Sequence, residues 1–302
     1  MIKVPKKSIN IFMGQGLGNQ LFTYSYILGL QKSAKPGKLE LSVWFNKNPK
    51  LDREFKLGIL IKNNSHNIRL RFNNEFIYFL RAFPLKIFKS NRILKIFKIY
   101  RQLDTFSYDS KLLSLPNNSF VYASFISRKF VDPVLDTLKK ETNAWFEDIQ
   151  VNDFLNYFDK EEIIVLHIRR GDTVGKLSKT RGLLSKAYYA SAINFILSKN
   201  NYRTFKIIAI TDDLKNSKVD MTGLNIDFWF GPKDLNAVQT LKVFTLSKNF
   251  VGSNSTLSWW GVKLSNPSKN FIQVLPEPWL AFEKSPADDA LRIPGVIYMT
   301  AK

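Results

Sequence analysis

Short runs of β-branched and aromatic residues recur along this 302-residue chain, and most are followed by a stretch with helical apolar spacing. That alternation constrains the fold most, because strands joined through helices return parallel to one another. It predicts an α/β architecture with parallel sheets. The strand candidates are Ser8–Met13, Lys38–Phe45, Phe120–Phe125, Ile163–Ile168, Phe205–Ile210, Asp227–Phe230 and Phe250–Val251. Helices are predicted from Leu21 to near Gln31, from Pro133 to near Phe146 and from an N-cap at Ser185 through Tyr188, Tyr189, Ala192, Ile193 and Ile196. Two more run from near Leu235 to Leu246 and from near Ser255 onward. The polar stretch Asn152–Glu162 separates two halves that each begin strand–loop–helix, so the expected domains are 1–155 and 156–302.

Hydrophobic residues make up 45% and aromatics 14% of the chain, enough for a full core. The absence of Cys excludes disulfides, thiolate-bound zinc, iron–sulfur clusters and a Cys nucleophile. With His66 and His167 as the sole histidines, no multi-histidine metal site is expected. Gly14, Gly16 and Gly18 break the first apolar stretch, leaving no signal-type core and pointing to a cytoplasmic protein of a reducing compartment.

Lys and Arg number 45 against 25 Asp and Glu, a net charge of +20. Ten of these basic residues lie between Lys62 and Arg101, opposed by the single acid Glu75. Within this basic insertion, 62–101, Ile93, Ile96, Phe97 and Tyr100 are spaced i, i+3, i+4 and i+7. That spacing predicts one helical face, with Arg92, Lys95 and Lys98 interleaved and Pro84 dividing the stretch into two short helices. Three readings stay open: a cover on the protein's own core with solvated lysines, a peripheral contact with an anionic membrane, or nucleic-acid binding.

Three loops carry chemistry, each after a predicted strand, where parallel sheets bind ligands. The first, Gly14-Gln-Gly-Leu-Gly-Asn19-Gln20, allows close backbone approach ahead of a helix N-terminus, and is equally a plain tight βα turn. The second, His167-Ile-Arg169-Arg170-Gly171-Asp172, brings two guanidiniums to a sheet edge, each able to grip phosphate oxygens bidentately. Pleat alternation sends the two arginines to opposite faces unless the chain turns there. An internal ion-pair cluster is the alternative, as is a satisfied core histidine for His167. The third, Gly252-Ser253-Asn254-Ser255-Thr256-Leu257-Ser258-Trp259-Trp260, supplies hydroxyls, an amide and a helix N-terminus for phosphate or ribose. It also fits ordinary N-capping with two core tryptophans behind it.

Gly-Leu-Gly-Asn-Gln, His-x-Arg-Arg-Gly-Asp, the strand-ending Thr211-Asp212-Asp213 and Ser-Asn-Ser-Thr-x-Ser-Trp-Trp stand in the order seen in glycosyltransferase family 11, and the chain resembles its α-1,2-fucosyltransferases. The resemblance implies a GT-B fold, two Rossmann-like domains facing across a cleft. It also implies inverting, metal-independent transfer of L-fucose from GDP-fucose to the 2-hydroxyl of a galactose in an oligosaccharide, glycolipid or lipid-linked acceptor. On matching positions, Arg169 and Arg170 belong to the diphosphate motif and His167 lies near the nucleotide. Ser253, Asn254, Ser255 and Thr256 contact the phosphate or ribose side, and Gly18 and Asn19 face the donor from the other domain. Thr173 replaces an aromatic residue common in the family after the Asp, and the 62–101 stretch matches no family motif. Two developing negative charges on departing GDP need a cation, which the Arg pair supplies without a metal. Arg170 and Asp172 are therefore the expected catalytic residues, with Asp172 the first candidate for general base and Asp213 the second. Asp172 is equally suited to orienting Arg169 or the loop. Alternatives are another GDP-sugar on the same scaffold, or a basic nucleic-acid-binding protein. Against the latter, the arginines end a strand rather than line a ridge. The expected partners are the sugar donor and acceptor, with no cofactor and no nucleic acid; a peripheral contact with the cytoplasmic face of an anionic inner membrane is one of the readings the basic stretch leaves open.

Overall fold

The computed structural model describes residues 7–34, 39–45, 54–63, 68–72, 91–102, 104–151, 162–171, 182–201, 204–266, 271–281 and 286–300. The chain forms two compact units, Met1–Thr142 and Asn143–Lys302. Each is built on a parallel sheet, the pair of Rossmann-like domains of which a GT-B enzyme consists. Residue 155, where the polar stretch predicts a boundary, lies outside the described residues.

In the first unit the order is β1 (Lys7–Met13), α1 (Leu17–Ser33), β2 (Leu39–Phe45), α2 (Gly58–Asn63), β3 (Ile68–Phe72), α3 (Asn91–Ile96), β4 (Ile99–Arg101), β5 (Ser119–Tyr122), α4 (Arg128–Val131) and the start of α5 (Leu135–Glu147), a helix that runs on past Thr142. The sheet runs β3-β2-β1-β5-β4 with every pair parallel. α1 is buried on nearly all sides, which explains why its hydrophobicity shows so little one-sidedness. Tyr26 on α1 stacks on Phe125 at 3.9 Å, and Phe130 closes edge-on against both rings.

The basic insertion departs from the expected helical face. α3 ends at Ile96, Lys98 takes a left-handed φ of 55°, and Tyr100 sits in β4 opposite Val121. Pairing with β5 thus overrides the apolar period, so Tyr100 does not share a helical face with Ile93 and Ile96. Leu94 is the buried residue of the helix, while Ile93, Ile96 and Phe97 are 38%, 78% and 50% exposed. Of the three readings left open for this stretch, a cover on the protein's own core does not describe Ile96, while Ile93 and Phe97 keep half or more of their surface covered. Pro84 and the predicted helix before it lie outside the described residues. No helix among the described residues is long and apolar enough to cross a membrane.

In the second unit β6 (Ile163–Ile168), α6 (Lys186–Lys199), β7 (Lys206–Thr211), α7 (Leu214–Asp220) and β8 (Phe228–Phe230) come first. They are followed by α8 (Ala237–Leu246), β9 (Asn249–Val251), α9 (Thr256–Leu264), β10 (Ile272–Glu277), α10 (Pro286–Leu291) and β11 (Ile297–Thr300). The parallel order β11-β10-β9-β6-β7-β8 is the doubly wound one, extending outward in both directions from β6. Its switch point lies between β6 and β9, whose carboxyl ends carry the second and third loops. The helices start where their caps dictate: Ser185 accepts from the Tyr188 N–H, and Asn236 and Gln239 form a reciprocal capping box at α8. α9 lies so close to α8 that a Cβ on Gly261 would sit 2.4 Å from Phe244 Cβ, so only glycine fits there.

Candidate active site

The glycine-rich loop of the first unit is shorter than its composition suggests. Helix α1 begins at Leu17, with Gly16 as an extended N-cap, so Gly18 and Asn19 lie in its first turn instead of in the turn before it. Burial of this turn outweighs the poor helix propensity of glycine. Gln15 turns the chain with a φ of 68°, and its side-chain carbonyl accepts a hydrogen bond from the Asn19 amide. Gln20, fully buried, donates to the carbonyls of Gln15 and Glu54 at 3.0 and 2.8 Å and accepts from the Lys56 N–H at 3.0 Å. A side chain with both donors and acceptors satisfied holds the strand-to-helix turn against the segment before α2.

At the switch point of the second unit, the second and third loops form one network. His167, the last residue but one of β6, is 5% exposed, and its Nδ1 lies 2.6 Å from Ser258 Oγ and 3.1 Å from Ser253 Oγ. Ser258 Oγ also accepts from the Ser253 N–H at 3.0 Å. One imidazole therefore joins the end of β6 to the loop after β9 and to the first turns of α9. Burial, and secondly the positive charge of Arg169, push the His167 pKa down to about 3. The ring is neutral at ordinary pH, and its place is that of a brace rather than a proton donor. Tyr189 donates to the His167 carbonyl at 2.9 Å and Tyr188 to the Gly252 carbonyl at 2.7 Å, so adjacent tyrosines of α6 hold both loop starts.

This burial has a consequence for stability. Between about pH 6.5 and pH 3 the unfolded chain protonates this histidine and the folded chain does not, so the unfolded state binds the extra proton. Folding stability should therefore fall as pH drops through that window, by up to about 1.4 kcal/mol per unit from this group. Denaturant unfolding of wild type and His167→Asn across the window checks it. The variant should show a shallower slope, and parallel slopes would contradict the assignment.

The two arginines follow the end of β6 at Ile168, and their side chains diverge. Arg169 points to the third loop: its Nη1 donates to Ser255 Oγ at 2.9 Å and its Nε lies 3.9 Å from Asp212 Oδ2, with the side chain 21% exposed. Arg170 turns inward. Its side chain is 3% exposed, Nε meets Asp220 Oδ2 at 2.5 Å, Nη2 donates to the Leu184 carbonyl at 2.8 Å, and Nη1 donates to the Arg169 carbonyl at 3.0 Å. The guanidiniums do not stand side by side; one reaches the β9–α9 loop and the other ties the strand end to α7 and to the chain ahead of α6.

Asp212 and Asp213 part likewise. Asp212 Oδ1 accepts from the backbone N–H groups of Arg170 and Gly171 at 2.7 and 2.9 Å, fixing the arginine loop to the end of β7. A Cβ on Gly171 would come 3.0 Å from Asp212 Oδ2, so a side chain there would press on the carboxylate that clamps this loop. Asp213 caps α7, accepting from the Asn216 N–H at 3.0 Å and from its side-chain amide at 2.6 Å. Those bonds hold its carboxyl below the usual range, which makes it a weak base. Asp172 and Thr173 lie outside the described residues.

In the third loop Ser253, Ser255 and Ser258 are buried, their hydroxyls turned to His167, Arg169 and the loop itself. Ser255 is the N-cap of α9, accepting from the Leu257 N–H at 3.3 Å. Asn254 donates to the Gly182 carbonyl at 3.0 Å, and Asn254 and Thr256 are the half-buried members of the loop. The tryptophans behind are core residues, packed edge to face at 5.0 Å, with Trp259 donating to the Leu291 carbonyl. Tyr188, Tyr189 and Asp220 join the site from outside the three loops, and Ser258, one of the third loop's hydroxyls, meets His167. The serine spacing and the double tyrosine were visible, but their partners are fixed only by tertiary packing.

Residues 8–298 match the model of Glycosyl transferase family 11. The chain belongs to that family. It is a glycosyltransferase drawing on a nucleotide-sugar donor. Two curated relatives from Escherichia coli are similar over nearly full length. An alpha-1,2-colitosyltransferase is 24% identical over 89% of this chain and 91% of its own. The O-antigen biosynthesis glycosyltransferase WbnK is 26% identical over 88% of this chain and 93% of its own. Among solved structures, a glycosyl transferase of family 9 from Veillonella parvula aligns over 99% of this chain and 88% of its own at 10% identity, with a TM-score of 0.48.

Proposed function

We propose that this family 11 enzyme transfers L-fucose from GDP-fucose to the 2-hydroxyl of a terminal galactose, with inversion and without a metal. The observation that carries the reading is Arg169. It is a partly exposed guanidinium at the carboxyl end of β6, beside the N-terminus of α9, at the switch point of a doubly wound sheet. A diphosphate bound there meets a planar cation and a helix N-terminus together, and the charge that develops as GDP departs is stabilised by groups already in place. Arg170, His167, Ser253 and Ser258 hold that geometry from behind, while Asn254 and Thr256 face the donor. The acceptor hydroxyl loses its proton to a carboxylate as the anomeric bond to the diphosphate breaks and the new one forms. Asp172 is the proposed base, since the Asp213 carboxylate is committed to capping α7.

A second reading keeps the linkage and replaces the sugar, because one relative's name specifies colitose in α-1,2 linkage. The test is a donor screen with GDP-fucose and other GDP-sugars on lactose, with the product's linkage read by NMR. GDP-fucose should give the α-1,2 product. Activity in excess EDTA should stay within about twofold of that with Mg²⁺. Strict dependence on Mn²⁺ would overturn the arginine-based mechanism, and transfer from a different GDP-sugar alone would establish the second reading.

A further inference from the structure

We propose that the segment α3–β4 of the first unit is a docking surface for an anionic lipid bilayer. Ile96 projects into solvent with 78% of its surface exposed, and Phe97 and Ile93 on the same short stretch are 50% and 38% exposed. Their support is fixed. Leu94 is buried on the other side of the same helix, the turn is closed by the Phe97 N–H to the Leu94 carbonyl and the Lys98 N–H to the Lys95 carbonyl, and Phe120 of β5 donates to the Lys98 carbonyl. Lys95 and Lys98 flank the apolar side chains and are exposed, Lys98 reaching the Asn117 carbonyl at 3.3 Å.

Charge decides the occupant. Residues 91–101, the segment itself, carry four basic residues and no acid. A second copy of this chain would bring the same positive stretch against itself. A nucleic acid would contact lysines but leave the protruding isoleucines and phenylalanine in water. A bilayer with anionic headgroups takes both: the apolar side chains enter the boundary between headgroups and acyl chains, and the lysine stems lie along it with their ammonium groups at the phosphates. The contact is peripheral, and it does not depend on which sugar the enzyme transfers.

Sedimentation with vesicles of phosphatidylcholine, alone or mixed with phosphatidylglycerol, tests the proposal. The full chain should sediment with the mixed vesicles at low salt, be released at high salt as the attraction is screened, and stay in solution with neutral vesicles. Lys95→Gln with Lys98→Gln should weaken partitioning about 25-fold, near fivefold for each lysine. Ile96→Ser with Phe97→Ser should weaken it at least about tenfold. Both variants should keep the wild-type melting temperature and turnover on lactose, which separates loss of docking from loss of fold or of the proposed chemistry. Absence of wild-type binding at low salt, equal binding to neutral vesicles, or an Ile96/Phe97 variant that sediments like wild type would each overturn the proposal. So would a shift of RNA without any vesicle binding.

Discussion

Arg169→Ala should lower turnover about 10²–10³-fold, the loss usual for one preorganised donor to a developing oxyanion. Its melting temperature should stay near that of wild type. The guanidinium is partly exposed, and its partners Ser255 and Asp212 each keep other hydrogen bonds when it is gone. Arg169→Lys should recover little, because an ammonium at the end of a flexible stem cannot present the planar fork that a diphosphate accepts. Turnover with GDP-fucose and lactose, alongside a melting curve, checks both variants. Near-native turnover in the lysine variant would remove the role assigned to Arg169.

Arg170→Ala should fail differently. The side chain is 3% exposed and bound to Asp220 and to two backbone carbonyls, so its removal leaves buried acceptors without donors. Asp220 is 45% exposed and can rehydrate, which places the cost at about 2–3 kcal/mol, below that of breaking a fully buried pair. For a unit of this size the melting temperature should drop by about 4–12 °C. Asp220→Asn should reproduce part of that drop while leaving Arg169 in place. An Arg170→Ala protein that melts like wild type yet loses turnover a hundredfold would return Arg170 to the diphosphate, the role its motif position suggests.

These two neighbours show where sequence reading reaches and where it stops. Alternating strands and helices, the caps at Ser185 and Ser255 and the Asp132-Pro133 start were legible because each rests on local chemistry between residues a few positions apart. Whether Arg169 and Arg170 share a face was left open by the sequence; β6 ends at Ile168, and Arg170 turns inward to Asp220, which lies 50 residues away in sequence. The strand-ending Asp212-Asp213 was visible as a motif. Its actual roles, a clamp on the arginine loop and a helix cap, depend on β7 lying beside β6. α1 begins four residues ahead of the expected Leu21 because burial of Gly18 and Gln20 overrides what glycine and asparagine prefer locally. Ile93, Ile96, Phe97 and Tyr100 kept a helical period in sequence, yet β4 pairs with β5 and cuts the helix short. β10 and β11 carried no clear strand signal, with Pro276 inside the first of them, and they form at the sheet edge beside β9.

The central claim is that one arginine, held at the β6–β9 switch point by Ser255 and Asp212, grips the diphosphate of the donor. Calorimetric titration of GDP into wild type, Arg169→Ala and Arg170→Ala tests it most directly, each protein being first shown to be folded at the temperature used. Affinity should fall at least about tenfold in the Arg169 variant, the loss of one charge-assisted contact, and much less in a folded Arg170 variant. Undiminished GDP affinity in Arg169→Ala, with the loss appearing in Arg170→Ala instead, would contradict the account.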